Sequence, residues 1–178
     1  AHMSGKEQDF IKEAFDTNWV VPLGPNVNAF EKSLQDFLIE NGKLKIENEG
    51  KQVVALSAGT AALHLGLILL GVQAGDEVIC QSFTFCASAN PVTYLGATAV
   101  FVDSEEDTWN MNPVLLEEAI RDRIAKTGRE PKAIIPVHLY GMPAKMDEIC
   151  AVAEKYGIPV LEDAAEALGS EYKGQKCG

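Results

Sequence analysis

Ile158-Pro159-Val160-Leu161-Glu162-Asp163-Ala164-Ala165-Glu166-Ala167 is the stretch that decides the fold. An apolar run of strand length ends in two acids and then in small residues. A run with no polar face predicts a strand buried on both sides, as in a parallel sheet covered by helices. A carboxylate at the C-terminal end of a parallel strand faces the crevice where open α/β sheets bind ligands. Asp163 is therefore the first candidate site residue, a group able to hold a protonated ring nitrogen.

Upstream of this stretch the same unit repeats. The pattern predicts strands over 52–57, 77–81, 98–102, 132–137 and 158–161. It predicts helices over 60–70, 84–95, 113–126 and 146–156, with Gly71, Gly96 and Gly157 near helix ends as C-terminal caps. Strands alternating with helices make βαβ units, hence an α/β fold with a mostly parallel sheet flanked by helices. The chain opens differently: an amphipathic helix over 4–15, an extended segment over 18–25, and a second helix over 26–40. That second helix carries Val27, Phe30, Leu34, Phe37 and Leu38 on one stripe. Residues 41–51 read as an exposed polar loop.

Composition narrows the function. In 178 residues, 47% are hydrophobic and 23% charged, as in a globular protein, and the formal net charge is −11. That charge disfavours a nucleic-acid or anionic-membrane binder, which needs basic patches. The longest apolar run, Ala61 to Val72, is too short to span a bilayer and contains His64. Cys80, Cys86, Cys150 and Cys177 form no metal-ligand spacing, so no metal is expected. Cys80 and Cys150 sit in apolar runs and read as reduced core residues, which fits a cytoplasmic protein.

Three segments carry chemistry. Ser57-Ala58-Gly59-Thr60-Ala61-Ala62 runs from a strand through small residues into a helix. Free N–H groups and the helix dipole at such a junction favour a phosphate, and Thr60 adds a hydroxyl. It is neither a P-loop nor a GxGxxG turn. Gln81-Ser82-Phe83-Thr84-Phe85-Cys86 follows a strand end, and its phenylalanines offer aromatic faces to a planar ring. Asp163 would favour the protonated form of a ring nitrogen and so make the ring a better electron sink. A phosphate turn plus a ring-nitrogen carboxylate makes pyridoxal phosphate (PLP) the leading ligand. Each segment also has a plain structural reading: a capped turn, two core phenylalanines, a salt-bridge or capping acid. His138, in Pro136-Val137-His138-Leu139-Tyr140-Gly141, reads more simply as a turn histidine than as a site group. The Glu162/Glu166 pair finds no support as a glycosidase pair, and no Ser/His/Asp or Cys/His set is recoverable.

These segments, in this order, resemble the DegT/DnrJ/EryC1/StrS family of PLP-dependent sugar aminotransferases. The matching pieces are Asn18-Trp19-Val20-Val21-Pro22-Leu23-Gly24, Ser57 to Leu65, Ser82-Phe83-Thr84-Phe85, Phe101-Val102-Asp103, Pro136 to Gly141, and Glu162 to Gly169. The resemblance implies fold type I of PLP enzymes, with a seven-stranded large domain and active sites shared across a homodimer. It implies that Gly59 and Thr60 contact the cofactor phosphate, that Phe85 stacks on the ring and that Asp163 pairs with the ring nitrogen. Asn18, Trp19, Val20 and Val21 resemble the segment that contacts the nucleotide sugar. Glu166, where the family often has His or Gln, points with Ala144 to Ile149 to enzymes that aminate UDP-4-keto-6-deoxy-GlcNAc from an amino-acid donor such as glutamate.

One departure stands out. The family's Schiff-base lysine lies well downstream of the Asp in a Ser-Phe-x-x-x-Lys context, and neither Lys173 nor Lys176 matches it. Residues 1–178 are therefore expected to be the N-terminal part of the large domain, inactive in isolation. Ala1-His2-Met3 reads as native sequence or a cloning scar, with the resemblance favouring native. The alternatives are a PLP- or PMP-dependent sugar dehydratase relative and a non-catalytic nucleotide-sugar-binding homologue.

Overall fold

The computed structural model describes residues 3–40 and 53–178, in two compact units, 1–55 and 56–178. The expected loop over 41–51 lies outside the described residues.

In the first unit, helix α1 spans Glu7–Asp16. It starts later than expected because Ser4 and Gly5 donate their N–H groups to the Glu7 carboxylate, at 2.6 and 2.9 Å. The Glu7 backbone N–H, then Ser4 and to a lesser degree Gly5, hold the Glu7 pKa down at about 2. At the other end Asn18 adopts a left-handed φ of 59°, and the Trp19 N–H reaches back to the Ala14 carbonyl at 2.8 Å. Asn tolerates that conformation better than most residues. The expected extended segment therefore begins as a helix-ending turn. Helix α2 spans Pro25–Glu40. Its predicted stripe is only partly covered: Phe30 is 56% exposed, whereas Glu31 is buried and accepts the Ala55 N–H at 3.0 Å. An amide needing an acceptor, rather than the apolar stripe, sets which residue goes deepest.

The second unit contains α3 (Gly59–Leu69), β1 (Glu77–Gln81), α4 (Asn90–Tyr94), β2 (Thr98–Val102), α5 (Pro113–Thr127), β3 (Ala133–Ile135) and α6 (Met146–Tyr156). A small antiparallel hairpin follows, β4 (Glu171–Tyr172) and β5 (Gln175–Lys176). The main sheet has order β2-β1-β3 and both pairings are parallel. Side chains alternate across it. Ile79 and Ile134 point to the face covered by Leu116 and Ile120 of α5 and Ile149 of α6. Val78, Cys80, Ala133 and Ile135 point to the face covered by Leu63 and Leu67 of α3 and Val92 of α4. This is the predicted α/β fold, a parallel sheet with helices on both faces.

Residues 158–163 run parallel beside β3. The Ile134 and Asp163 N–H groups donate to Pro159 and Pro136 carbonyls at 3.0 Å each, and the His138 N–H donates to the Asp163 carbonyl at 3.1 Å. Ile134 faces Val160 and Val137 faces Asp163, so the register is continuous. Pro136 has no N–H, and one rung is missing. For that reason β3 is shorter than the predicted 132–137, and the predicted strand 158–161 appears as a bridged segment.

Two further expectations are corrected. Helix 84–95 is instead a 3-10 turn, Cys86–Ser88, followed by α4, because Pro91 cannot continue a helix begun upstream. The expected strand 52–57 is absent over its described residues, 53–57: no strand pairs with it among the described residues, the Ala55 N–H goes to the Glu31 carboxylate instead, and Val54 is 61% exposed. Cys150 lies exposed on α6, unlike Cys80, which is fully buried. The glycine caps are as expected: Gly71, Gly96 and Gly157 take φ of 73°, 71° and 66°.

Candidate active site at the C-terminal edge of the sheet

A buried amide ties the sheet to the loops beyond it. The Gln81 side chain, fully buried at the end of β1, accepts the Met111 and Val137 N–H groups at 3.2 and 3.1 Å. Its own Nε2 donates to the Phe83 carbonyl at 2.8 Å. Asn110 continues the network by accepting the Leu139 N–H at 3.0 Å and donating to the Met142 carbonyl at 2.8 Å. Three loops thus share one polar node, which fixes where residues 83–85 and 137–142 leave the sheet.

Asp163 sits at the end of the 158–163 segment and is only 9% exposed. Its Oδ2 accepts the Ser88 hydroxyl at 2.7 Å, and its Oδ1 accepts the Ala165 N–H at 3.2 Å. Thr84 and Ser88 hydroxyls are 2.9 Å apart. Thr84, Phe85, Val137, Leu139, Asp163, Ala165 and Glu166 line one cavity of about 270 Å³. Its walls are apolar apart from the two acids and Thr84, and the Phe85 ring is 75% exposed. Glu166 accepts the Tyr140 N–H at 2.7 Å, and Tyr140 holds a left-handed φ of 54°. The Ser170 hydroxyl bonds the Gly141 carbonyl at 2.7 Å, strapping the 139–141 turn to the segment after Asp163. Three predicted residues, Phe85, Asp163 and Glu166, are thereby brought together.

Gly59 and Thr60 stand at the N-terminus of α3. Ala61 and Ala62 both donate to the Ala58 carbonyl, at 3.0 and 3.1 Å, which leaves the Gly59 and Thr60 amides at the mouth of the helix. Among the described residues no side chain caps that end, where the N-cap residue is Ala58, and a Cβ at Gly59 would meet nothing within 4 Å. The mouth is open to an anion. Helix α3 is keyed to the Asp163 segment through Gly66, where a Cβ would come 2.9 Å from the Leu161 side chain. Gly59 and Thr60 are not among the walls of the Phe85–Asp163 cavity.

Asn18, Trp19, Val20 and Val21 belong to the first unit. Trp19 and Val21 line a hollow of about 170 Å³, and the indole packs on Gly24. Trp19, Val20 and Val21 are each at least half exposed. A larger hollow, about 490 Å³, lies among Phe83, Trp109, Asp103, Ser104, Glu105 and Glu106. Its carboxylates suit a phosphorylated ligand poorly, and of the aromatic candidates it takes Phe83, away from Phe85 and Asp163.

Two clusters have structural explanations. His138 is fully buried; its Nδ1 accepts the Ala144 N–H at 2.9 Å, so the ring proton lies on Nε2, facing the Glu162 carboxylate at 2.7 Å. His138, Glu162 and Cys177 have the donor types and proximity of a metal set. With Nδ1 already used as an acceptor, however, Nε2 has no lone pair to give. Lys173 pairs with Asp147, which raises its pKa, and Lys176 pairs with Glu171, both on the terminal hairpin. Sequence reasoning missed Ser88 as a partner of Asp163.

A planar ring would find in this cavity an exposed aromatic face and a buried, hydrogen-bonded carboxylate, the stacking face and the hydrogen-bond acceptor that a pyridinium cofactor requires. Relatives share the whole stretch. EpsN of Bacillus subtilis, whose name describes a pyridoxal phosphate-dependent aminotransferase, is 53% identical over 99% of this chain and 43% of its own length. GDP-perosamine synthase of Caulobacter vibrioides is 42% identical over 99% of this chain and 43% of its own. A Streptococcus pneumoniae structure, described as a sugar aminotransferase in its PLP form, superposes with a TM-score of 0.76 at 32% identity, covering 98% of this chain and 44% of that one. The chain thus spans under half the length of these relatives. PLP is the cofactor of the group, which solved structures hold in both PLP and PMP forms. Among the described residues no helix is long and apolar enough to cross a membrane. Residues 2–178 match the DegT/DnrJ/EryC1/StrS aminotransferase family from end to end, and the chain belongs to it.

Proposed function

We propose that residues 1–178 form the N-terminal part of the large domain of a cytoplasmic, homodimeric sugar-nucleotide aminotransferase. The complete enzyme moves an amino group from an amino acid, glutamate, to a nucleotide-linked keto sugar of the UDP-4-keto-6-deoxy-GlcNAc type. The observation that carries this reading is Asp163: a buried carboxylate with two hydrogen-bond donors, in an apolar cavity beside the free face of Phe85.

The residues present fit PLP. Its ring, when bound, supplies an electron sink next to the amine that is transferred. Asp163 would keep a proton on the ring nitrogen by charge, Phe85 would offer its exposed face to the ring, and Glu166 lines the same cavity. The Gly59 and Thr60 amides with the Thr60 hydroxyl receive the phosphate at the α3 N-terminus. Asn18, Trp19, Val20 and Val21 contact the nucleotide sugar. Lys173, paired with Asp147 of α6, and Lys176, paired with Glu171 of the hairpin, are not assigned the role of the lysine that would shuttle the proton, since neither stands in the lysine context of the family.

The test uses the full-length protein with PLP, glutamate and either a UDP-linked or a GDP-linked 4-keto-6-deoxy sugar. Amino-sugar and 2-oxoglutarate should form in equal amounts with the UDP substrate. Turnover only with the GDP substrate would move the specificity toward that of GDP-perosamine synthase. Loss of water from the sugar without amino transfer would favour the dehydratase reading.

A further inference from the structure

Ser88 is 1% exposed and sits one helical turn after Phe85, its own N–H bonded to the Phe85 carbonyl at 3.1 Å. A serine hydroxyl carries one hydrogen. At 2.7 Å from the acceptor-only Oδ2 of Asp163, that hydrogen is committed to the carboxylate. The contact between Thr84 and Ser88, 2.9 Å, then has a fixed direction: Thr84 donates and Ser88 accepts. The result is an ordered chain, Thr84 to Ser88 to Asp163, in which each bond polarises the next. Among the described residues, the Ala165 N–H on Oδ1, at 3.2 Å, is the other donor to this carboxylate. Oδ1 and Oδ2 are thus held on different elements, which blocks rotation of the carboxylate about its Cβ–Cγ bond.

We propose that Ser88, backed by Thr84, is a positioning residue that sets the orientation of the Asp163 carboxylate toward the cofactor ring nitrogen. Thr84 and Ser88 flank Phe85 in sequence, so a single turn aims the carboxylate at the ring edge and presents the aromatic face to the ring plane. This rests on the reading of Asp163 as the partner of the ring nitrogen.

The experiment uses the full-length protein and four variants: Asp163→Asn, Ser88→Ala, Thr84→Val and Thr84→Ser. Three quantities are read: the dissociation constant of PLP, the pH midpoint of the absorbance change of the PLP-loaded protein, and the melting temperature without PLP. Ser88→Ala should weaken PLP binding about tenfold, the usual cost of a hydrogen bond to a charged group. It should also raise the absorbance midpoint by about half a unit or more, since a less firmly paired ring nitrogen carries less of the positive charge that promotes proton release. Thr84→Val should give a smaller change in the same direction, and Thr84→Ser, which keeps the hydroxyl, should restore wild-type values. If Asp163→Asn changes affinity and midpoint while Ser88→Ala changes neither, the positioning role is overturned. A Ser88→Ala protein that only melts lower would overturn it too, showing a packing role alone. If Asp163→Asn itself leaves affinity and midpoint untouched, the reading beneath it fails instead.

Discussion

Asp163 is held by groups from two sides, and the consequences of removing its charge follow from that geometry. Asp163→Asn in the full-length enzyme should lower the rate of amino transfer by two or more orders of magnitude, each tenfold corresponding to about 1.4 kcal/mol of lost transition-state stabilisation. Steady-state kinetics and circular dichroism check it, the second being expected to match wild type. Glu105 offers a pH test. Burial pushes its carboxyl up, but hydrogen bonds from Lys145, the Thr108 side chain and N–H, and the Asp107 N–H together hold it down, from 4.5 to about 2. A folded-state pKa below the unfolded one contributes stability that is present above about pH 4.5 and lost as pH falls toward 2. Glu105→Gln should therefore cost about 1–3 kcal/mol near neutral pH. Urea unfolding at pH 7 and near pH 3 should show the gap between wild type and variant narrowing in acid; an unchanged gap would contradict the assignment.

At the scale of elements, the lesson of α3 is how closely it approaches the strand that ends in Asp163. Glycine inside a helix costs about 0.5–1 kcal/mol relative to alanine. Gly66 sits there because Leu161 occupies the space a Cβ would need. Gly66→Val should destabilise by about 1–3 kcal/mol through overpacking and should weaken PLP binding, because the phosphate mouth and the carboxylate move apart. A melting curve and a PLP titration test both effects together. Elements were legible in the sequence where one local signal ruled. Helices α2, α3, α5 and α6 lie within a residue of expectation, set by periodicity and by the glycines and prolines at their ends. Segments 84–95 and 52–57 were not legible, since one depends on where Pro91 permits a restart and the other on a hydrogen-bonded neighbour. Phe85 and Asp163 could be named from their place after strand ends, and Glu166 only from the family resemblance. Ser88 could not, because its role rests on a contact 75 residues away.

For the whole molecule, the net charge of −11 sets a condition on its ligands. Phosphorylated ligands approach against the overall field, so capture depends on local donors at the α3 mouth rather than on long-range attraction. PLP affinity should consequently rise modestly with ionic strength up to about 0.2 M, where the Debye length has fallen below about 8 Å; a steep loss with added salt would point to a basic pocket elsewhere. Residues 1–178 expressed alone should give no amino transfer. After incubation with PLP and borohydride, peptide mapping should find no stoichiometric adduct on Lys173 or Lys176, the outcome their ion pairs with Asp147 and Glu171 dictate.

The contrast between Cys80 and Cys86 has a practical use. Burial, reinforced by the Asp163 charge, pushes the Cys80 thiol up to about 12, so at pH 8 about one molecule in ten thousand carries the reactive thiolate. Cys86 is exposed and adjoins Phe85 in the chain. An alkylating reagent should modify Cys86 while sparing Cys80, and the rate at Cys86 should drop when a ring covers Phe85. The protein carries its own occupancy reporter, one that mass spectrometry can read without a dye, a substrate or turnover.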